Sequence, residues 1–252
     1  MKQVPNLFTL LNLFFGCIAI VFVMQNGIEI DEYGQGRIQL SQQMWIGSLC
    51  VAIAAFVDFV DGFVARLFGA ASERGKQLDS LADVVSFGVV PGLMLYQLLR
   101  ISLVREPDAL QTSIWWLLPA FILPCAACYR LAKFNLDTRQ SYSFRGTPVP
   151  SVGLTIASFP LIYWHTSGMW ALELITNKWF LYAVILLMSW LMVSDIPIMS
   201  NKFQKRSFSA LLPKILLLVV AIVGASLVGW LSVSVTFVAF VLLSLLFQKQ
   251  IQ

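Results

Sequence analysis

Four aspartates recur at helical spacing between residues 58 and 83: Asp58 and Asp61, then Asp79 and Asp83. Gly62, Ala65, Arg66 and Gly75 stand among them, in the order Asp58-Phe59-Val60-Asp61-Gly62-Phe63-Val64-Ala65-Arg66, eight residues, Gly75, three residues, Asp79, three residues, Asp83. A carboxylate in or beside a bilayer is costly and by default marks function. On a helix Asp58, Asp61 and Ala65 share one face, and Asp79 and Asp83 lie one turn apart. Four carboxylates brought to one point repel one another unless cations join them. All-oxygen ligation suits a hard divalent ion such as Mg2+, Mn2+ or Ca2+, and two such ions with bridging carboxylates suit a site that handles phosphates. Gly62 and Ala65 remove bulk where something large must approach the helix. Arg66 suits a pyrophosphate as a charge-assisted donor, and Gly75 gives the intervening loop a turn or a close approach. The residue types therefore imply metal-assisted phosphoryl-group chemistry at a membrane surface. Snorkelling charges and small packing residues explain single positions equally well. They do not explain the joint pattern, since eight fixed identities at fixed spacing arise by chance with a probability on the order of 10⁻¹⁰ per start site.

The elements that must carry these residues are membrane helices. The chain has 252 residues, 58% of them hydrophobic and 12% charged, with a mean hydropathy of +0.79. That density of long apolar runs indicates an all-α, polytopic membrane bundle rather than a large soluble core. The net charge is only +4, and no basic cluster is interleaved with aromatics, which argues against a nucleic-acid partner. At roughly 20 apolar residues per span, the chain divides into helices over about Leu7–Met24, Met44–Phe68, Leu78–Leu99, Ser113–Phe134, Val149–Trp164 and Trp179–Ile198. A short linker holding Glu73, Arg74, Gly75 and Lys76 separates the second and third. Leu211 to Phe247 carries one charge, Lys214. As a single helix it would be about 55 Å long against a hydrocarbon core of roughly 30 Å, so it should be two helices with a break near Gly229 to Ser232. Eight spans result. With the N-terminus inside, all of the 17 Lys and Arg except Arg37, Arg100, Arg105 and Lys178 fall on the inner side. The positive-inside rule then puts both termini and the aspartates at the cytoplasmic face. The N-terminal run lacks a small-x-small cleavage site and reads as a retained helix.

The pattern D-x-x-D-G-x-x-A-R-x₈-G-x₃-D-x₃-D is the signature of the CDP-alcohol phosphatidyltransferases, and this chain resembles that family at all eight specified positions. The resemblance implies an integral membrane enzyme with a six-helix catalytic core, usually a homodimer. Such an enzyme binds a CDP-linked lipid and one or two divalent metals, moves the phosphatidyl group to an alcohol and releases CMP. Carried over by position, it implies Asp58, Asp61 and Asp79 as metal ligands and Asp83 as general base that also touches metal. It further implies Gly62, Ala65 and Gly75 lining the cytidine pocket beside Asp61, and Arg66 holding phosphate. The flanking segments Pro5 to Asn12, Asp79 to Gly88, Arg130 to Asn135, Phe144 to Pro150 and Ser194 to Lys202 resemble the phosphatidylserine synthase branch of that family. That branch transfers from CDP-diacylglycerol to L-serine. The resemblance runs from the first helix to about Lys202, which divides the chain into a catalytic membrane domain over 1–204 and an added helix pair over 205–252. Lys133 departs from the branch, where arginine is more usual; the charge is kept but bidentate hydrogen bonding is not.

A zwitterionic acceptor fits the cations Arg130 and Arg145, with Asn135 and Ser86 as neutral hydrogen-bonding partners. Lys133 and Arg139 read instead as orienting charges, and Pro148 and Pro150 as fixing the loop into the fifth helix. Cys125 and Cys128 form a C-x-x-C, but with no second ligand pair they read as small buried side chains. His165, near the outer end of the fifth helix, is poorly placed as a base. Asp195 reads as a helix-end partner of Lys202, and the stripe Ala221, Ala225, Gly229 as helix packing. Three other readings remain open. One is a sister transferase using glycerol 3-phosphate or an inositol compound. The second is an enzyme passing a phospho-alcohol to diacylglycerol. The third is a divalent-ion or solute transporter. Aspartates clustered at one face argue against the last, because a conduction path distributes polar groups across the membrane.

Overall fold

The computed structural model describes residues 4–25, 27–30, 36–39, 43–67, 72–104, 113–136, 144–166, 168–198 and 208–247. Ten α-helices are found among them: α1 (Val4–Met24), α2 (Met44–Leu67), α3 (Glu73–Asp83), α4 (Val90–Val104), α5 (Ile122–Leu136), α6 (Val149–His165), α7 (Met169–Ile175), α8 (Lys178–Val193), α9 (Phe208–Val228) and α10 (Leu231–Leu246). Two small antiparallel ribbons accompany them. One pairs β1 (Gly27–Ile30) with β2 (Gly36–Gln39), and the other pairs β3 (Phe144–Arg145) with β4 (Pro197–Ile198).

The expected helices are present, with shifted ends. Helix α8 stops at Val193 rather than Ile198, because Pro197 and Ile198 leave the helix to pair with Arg145 and Phe144. Glu73 to Lys76 is not a linker. Ser72 is an extended N-cap whose Oγ accepts the Gly75 N–H at 3.0 Å, so these residues form the first turn of α3. The two C-terminal helices break at Gly229, whose φ of 56° lies where glycine alone is unstrained. The seven-residue helix α7 has no counterpart in the sequence-based division.

Four helical stretches are long and apolar enough to cross a membrane: 6–24, 44–64, 73–104 and 114–136. The pair α7 and α8, bent by 64°, passes the same test as a fifth. The apolar lengths Leu212–Val228 and Leu231–Leu246 are shorter. The outward-facing surface agrees with a lipid environment. Phe56, Phe59, Leu186 and Trp190 are each 59% or more exposed on helix flanks, where water would penalise them.

The most enclosed of these stretches runs from α3 into α4. Its side chains Phe87, Met94, Leu95, Leu98 and Leu99 are fully buried, and with Leu123, Ile156, Ile162, Leu181 and Ile185 they belong to one core. Between α3 and α4 lies a π-helical turn, Val84–Val89, in which the Val90 N–H bonds to the Val85 carbonyl. Such turns insert one residue into an α-helix and recur at functional sites. Here the turn follows Asp83 directly and is gripped by small residues. A Cβ on Gly153 of α6 would lie 2.9 Å from Phe87 Cβ and 3.0 Å from Phe87 Cα. A Cβ on Gly16 of α1 would lie 2.4 Å from Ser86 Oγ. The missing side chains let α1 and α6 close on the turn and thereby hold the aspartates that precede it.

Candidate active site

Helix α2 descends to Leu67 and α3 returns from Glu73, so the two acidic pairs face each other across a short connection. One carboxylate oxygen each from Asp58, Asp79 and Asp83 forms a group within 4.8 Å of one another. Asp58 and Asp79 are half-buried and Asp83 is buried. Three carboxylates at that separation stay together only when protons or a cation offset their repulsion, and hard oxygen donors in this number fit a divalent ion. Asp61 is buried beside them but is engaged differently: the Thr9 hydroxyl of α1 donates to its Oδ2. Of the four sequence-predicted ligands, three therefore converge directly and the fourth is tied to the first helix.

The first helix supplies more than one such contact. Asn12, fully buried, donates from Nδ2 to Asp83 Oδ1 at 3.2 Å. Ser86 Oγ in turn donates to the Asn12 carbonyl at 3.2 Å. Asn6 reaches the start of α3, its Oδ1 standing 3.2 Å from where a Gly75 Cβ would be. Gly75 thus serves the close approach that its residue type implied, although it sits in a helix and not a turn. Thr9 and Asn12 were not among the expected site residues. Their signal was present: Asn6, Thr9, Asn12 and Gly16 follow a spacing of three, three and four, which lays one polar and small face along an otherwise apolar helix.

Gly62 lies on the exposed side of α2, and among the described residues nothing stands within 4 Å of its Cβ position. The side chains of Ala65, Arg66 and Arg145 lie outside the described residues, as do Arg139 and Lys202.

The expected acceptor contacts separate into two groups. Arg130 on α5 is buried, lies over the Phe134 ring at 5.9 Å, and among the described residues is a cation whose charge reaches Asp83. Its Nε has no hydrogen-bond partner among the described residues. Ser86 is committed to the Asn12 carbonyl. Asn135 donates to Ser80 Oγ at 2.7 Å and accepts from Lys76 Nζ at its carbonyl at 3.0 Å, which ties the end of α5 to α3. Asp195 pairs with Lys133 at 2.8 Å, and its expected partner Lys202 lies outside the described residues. The segment entering α6 is fastened to the same place. Gly146 N–H donates to the Ile196 carbonyl at 2.8 Å and Thr147 N–H to the Leu191 carbonyl at 3.1 Å. Gly146 has a φ of 73°, and a Cβ there would lie 2.5 Å from the Met192 carbonyl oxygen. Pro148 is the N-cap of α6, which agrees with its reading as a loop-fixing residue. His165 stacks edge-on against Trp45 at 5.4 Å, at the far ends of α6 and α2 from the aspartates.

Comparison with known proteins gives the same picture of the chain. The model of the CDP-alcohol phosphatidyltransferase family matches residues 2–193. A CDP-diacylglycerol–serine O-phosphatidyltransferase of Helicobacter pylori is 32% identical over 194 residues, covering 76% of this chain and 70% of that protein. One of the same name from Bacillus subtilis is 29% identical over 169 residues, covering 65% and 78% respectively. Another, from Mycobacterium leprae, is 33% identical over 169 residues, covering 64% of this chain. The chain spans about half the length of that last relative, 51%.

Proposed function

The chain belongs to the CDP-alcohol phosphatidyltransferase family, and from that premise we propose that it transfers the phosphatidyl group of CDP-diacylglycerol to the hydroxyl of L-serine, giving phosphatidylserine and CMP. The observation that carries the reaction class is the convergence of Asp58, Asp79 and Asp83 where α2 meets α3. Support for serine comes from the relatives' names and from the buried Arg130 beside Asp83, a cation suited to the acceptor's carboxylate.

In this reading Asp58, Asp79 and Asp83, which converge, would together with Asp61 hold divalent ions, Mg2+ or Mn2+ and in number two, with Ca2+ a further candidate. When bound, such ions neutralise the pyrophosphate and the charge that develops on the departing CMP. The cytidine lies against Gly62, Ala65 and Gly75, and Arg66 holds phosphate. Asp83 takes the proton of the serine hydroxyl as that oxygen forms a bond to the phosphatidyl phosphorus. The bond from phosphorus to the bridging oxygen breaks, and CMP leaves with its electron pair. Arg130 and Arg145 receive the serine carboxylate. Ser86 and Asn135, whose hydrogen bonds are used within the protein, serve as scaffolding around them.

The same reading has eight spans with both termini and the site at the cytoplasmic face, in the inner membrane if the cell is bacterial. Residues 1–204 form the catalytic unit. The α9–α10 pair packs on it through α6, where Ser158 and Ser234 hydroxyls meet at 3.3 Å. Two copies associate as a homodimer.

The test is CMP release by purified protein in detergent, given CDP-diacylglycerol and Mn2+ or Mg2+. Release that depends on added serine is the expected result. Release with glycerol 3-phosphate or an inositol compound instead of serine overturns the acceptor. Absence of release with every acceptor overturns the enzyme in favour of transport.

A further inference from the structure

The first helix lies outside the aspartate pattern, yet it touches two of the four aspartates, Asp61 through Thr9 and Asp83 through Asn12. Asn12 is the more informative of the two contacts. It is fully buried in an apolar span, and its amide is only half satisfied: Nδ2 donates to Asp83, while Oδ1 has no partner among the described residues. A leucine would fill the same space without an unpaired amide oxygen, so packing does not account for the asparagine; the bond to Asp83 does. Everything else at this position serves its orientation. Ser86 Oγ binds the Asn12 carbonyl at 3.2 Å and fixes the backbone of α1 against the π-turn. The absence of a side chain at Gly16 permits that approach, since a Cβ would lie 3.2 Å from Ser86 Cα. The π-turn begins at the residue after Asp83. One polar contact thus runs from the backbone of α1, through the Asn12 amide, to one oxygen of one aspartate.

We infer that Asn12 is a positioning residue for Asp83. Its N–H occupies Oδ1 and holds the carboxylate rotamer, so that Oδ2 is the oxygen turned to the acceptor's hydroxyl. The inference rests on the proposed role of Asp83 as base and adds what aims it. The residue touches neither the donor lipid nor the acceptor in this assignment. Its removal therefore acts on turnover and not on nucleotide-lipid binding.

The test uses the full-length protein in detergent, with Asn12→Leu and the near-isosteric Asn12→Asp. For each, kcat and KM are measured from CMP release, Tm from thermal unfolding, and Mn2+ affinity by electron paramagnetic resonance without lipid. Asn12→Leu should lower kcat by about 100-fold, the scale of a misaligned reacting group, with KM for CDP-diacylglycerol changed by less than about threefold. Its Tm should stay close to the parent's, because loss of the unpaired Asn12 acceptor offsets the Asp83 oxygen left without its donor. Mn2+ affinity should stay within about threefold of the parent. Asn12→Asp, which presents an acceptor where a donor stood, should lose at least as much kcat. A merely structural role would instead make kcat fall in step with Tm. The inference is overturned if Asn12→Leu keeps kcat within about threefold of the parent, if Tm and kcat fall together in both variants, or if Mn2+ binding is lost. Failure of the underlying reading is distinguishable, because the unsubstituted protein would then release no CMP, or Asp83→Asn would remain active.

Discussion

Gly62 offers a sharp separation of ligand binding from folding. It lies within α2, away from either end, and its Cβ position is empty to 4 Å. A glycine inside a helix costs roughly 0.5–1 kcal/mol relative to alanine. Gly62→Ala should therefore stabilise the protein by about that amount, equivalent to roughly 1–4 °C in Tm for a chain of this size. A residue that lowers stability without any protein neighbour to accommodate is explained by a ligand that packs on the bare backbone. A methyl group placed beneath a closely seated nucleotide costs about 1–3 kcal/mol by overpacking, or roughly 5- to 150-fold in apparent affinity. The assay is CMP release at varied CDP-diacylglycerol with serine saturating, paired with thermal unfolding of the same preparation. The expected result is an equal or higher Tm, a KM for CDP-diacylglycerol raised at least about fivefold, and a serine KM left unchanged. An unchanged KM for the lipid alongside a raised Tm would refute the assignment of Gly62 to the nucleotide pocket. A lowered Tm would refute the argument from open space.

Three further outcomes follow from the same geometry. Asp83→Asn should cut turnover by roughly 10²- to 10⁴-fold, the usual worth of a general base, with binding of CDP-diacylglycerol largely retained; normal turnover would remove Asp83 from the chemistry. Gly153→Ala puts a methyl 2.9 Å from Phe87 Cβ and 3.0 Å from its Cα and carbonyl oxygen. It should destabilise by about 1–3 kcal/mol, read as a lowered Tm, and an unaltered Tm would show that α6 can move off the π-turn. Chelation of divalent ions with EDTA should abolish CMP release, with recovery on adding Mn2+ or Mg2+; turnover indifferent to EDTA would exclude a metal-dependent reaction.

The positions of the helices were largely legible in the residues, because length and apolarity are local properties of a segment. Helix α1 ends at the expected Met24, α2 begins at the expected Met44, and the last two helices part at the expected Gly229. Errors fell where a distant partner decides the end of an element. Nothing local says that Pro197 and Ile198 pair with Arg145 and Phe144; the Ser72 cap, by contrast, is local, since it binds Gly75 three residues on, and was legible as a helix start.

The aspartate pattern was the most legible feature of all, since helical spacing alone puts Asp58 with Asp61 and Asp79 with Asp83 on shared faces. By itself the sequence determined the membrane class, the helix order, the acidic pairs and the family whose chemistry they serve. Only the tertiary structure decided which carboxylates converge: Asp58, Asp79 and Asp83 form the group, and Asp61 turns to Thr9. It also decided that Asn135 and Ser86 bind protein groups, that Asp195 meets Lys133, and that α1 reaches into the site. The physical reason is range. Periodicity along a helix reports which side a residue faces, whereas a hydrogen bond from Asn12 to Asp83 joins groups 71 positions apart. That contact exists only after Gly16 and Gly153 have let α1 and α6 close on the π-turn.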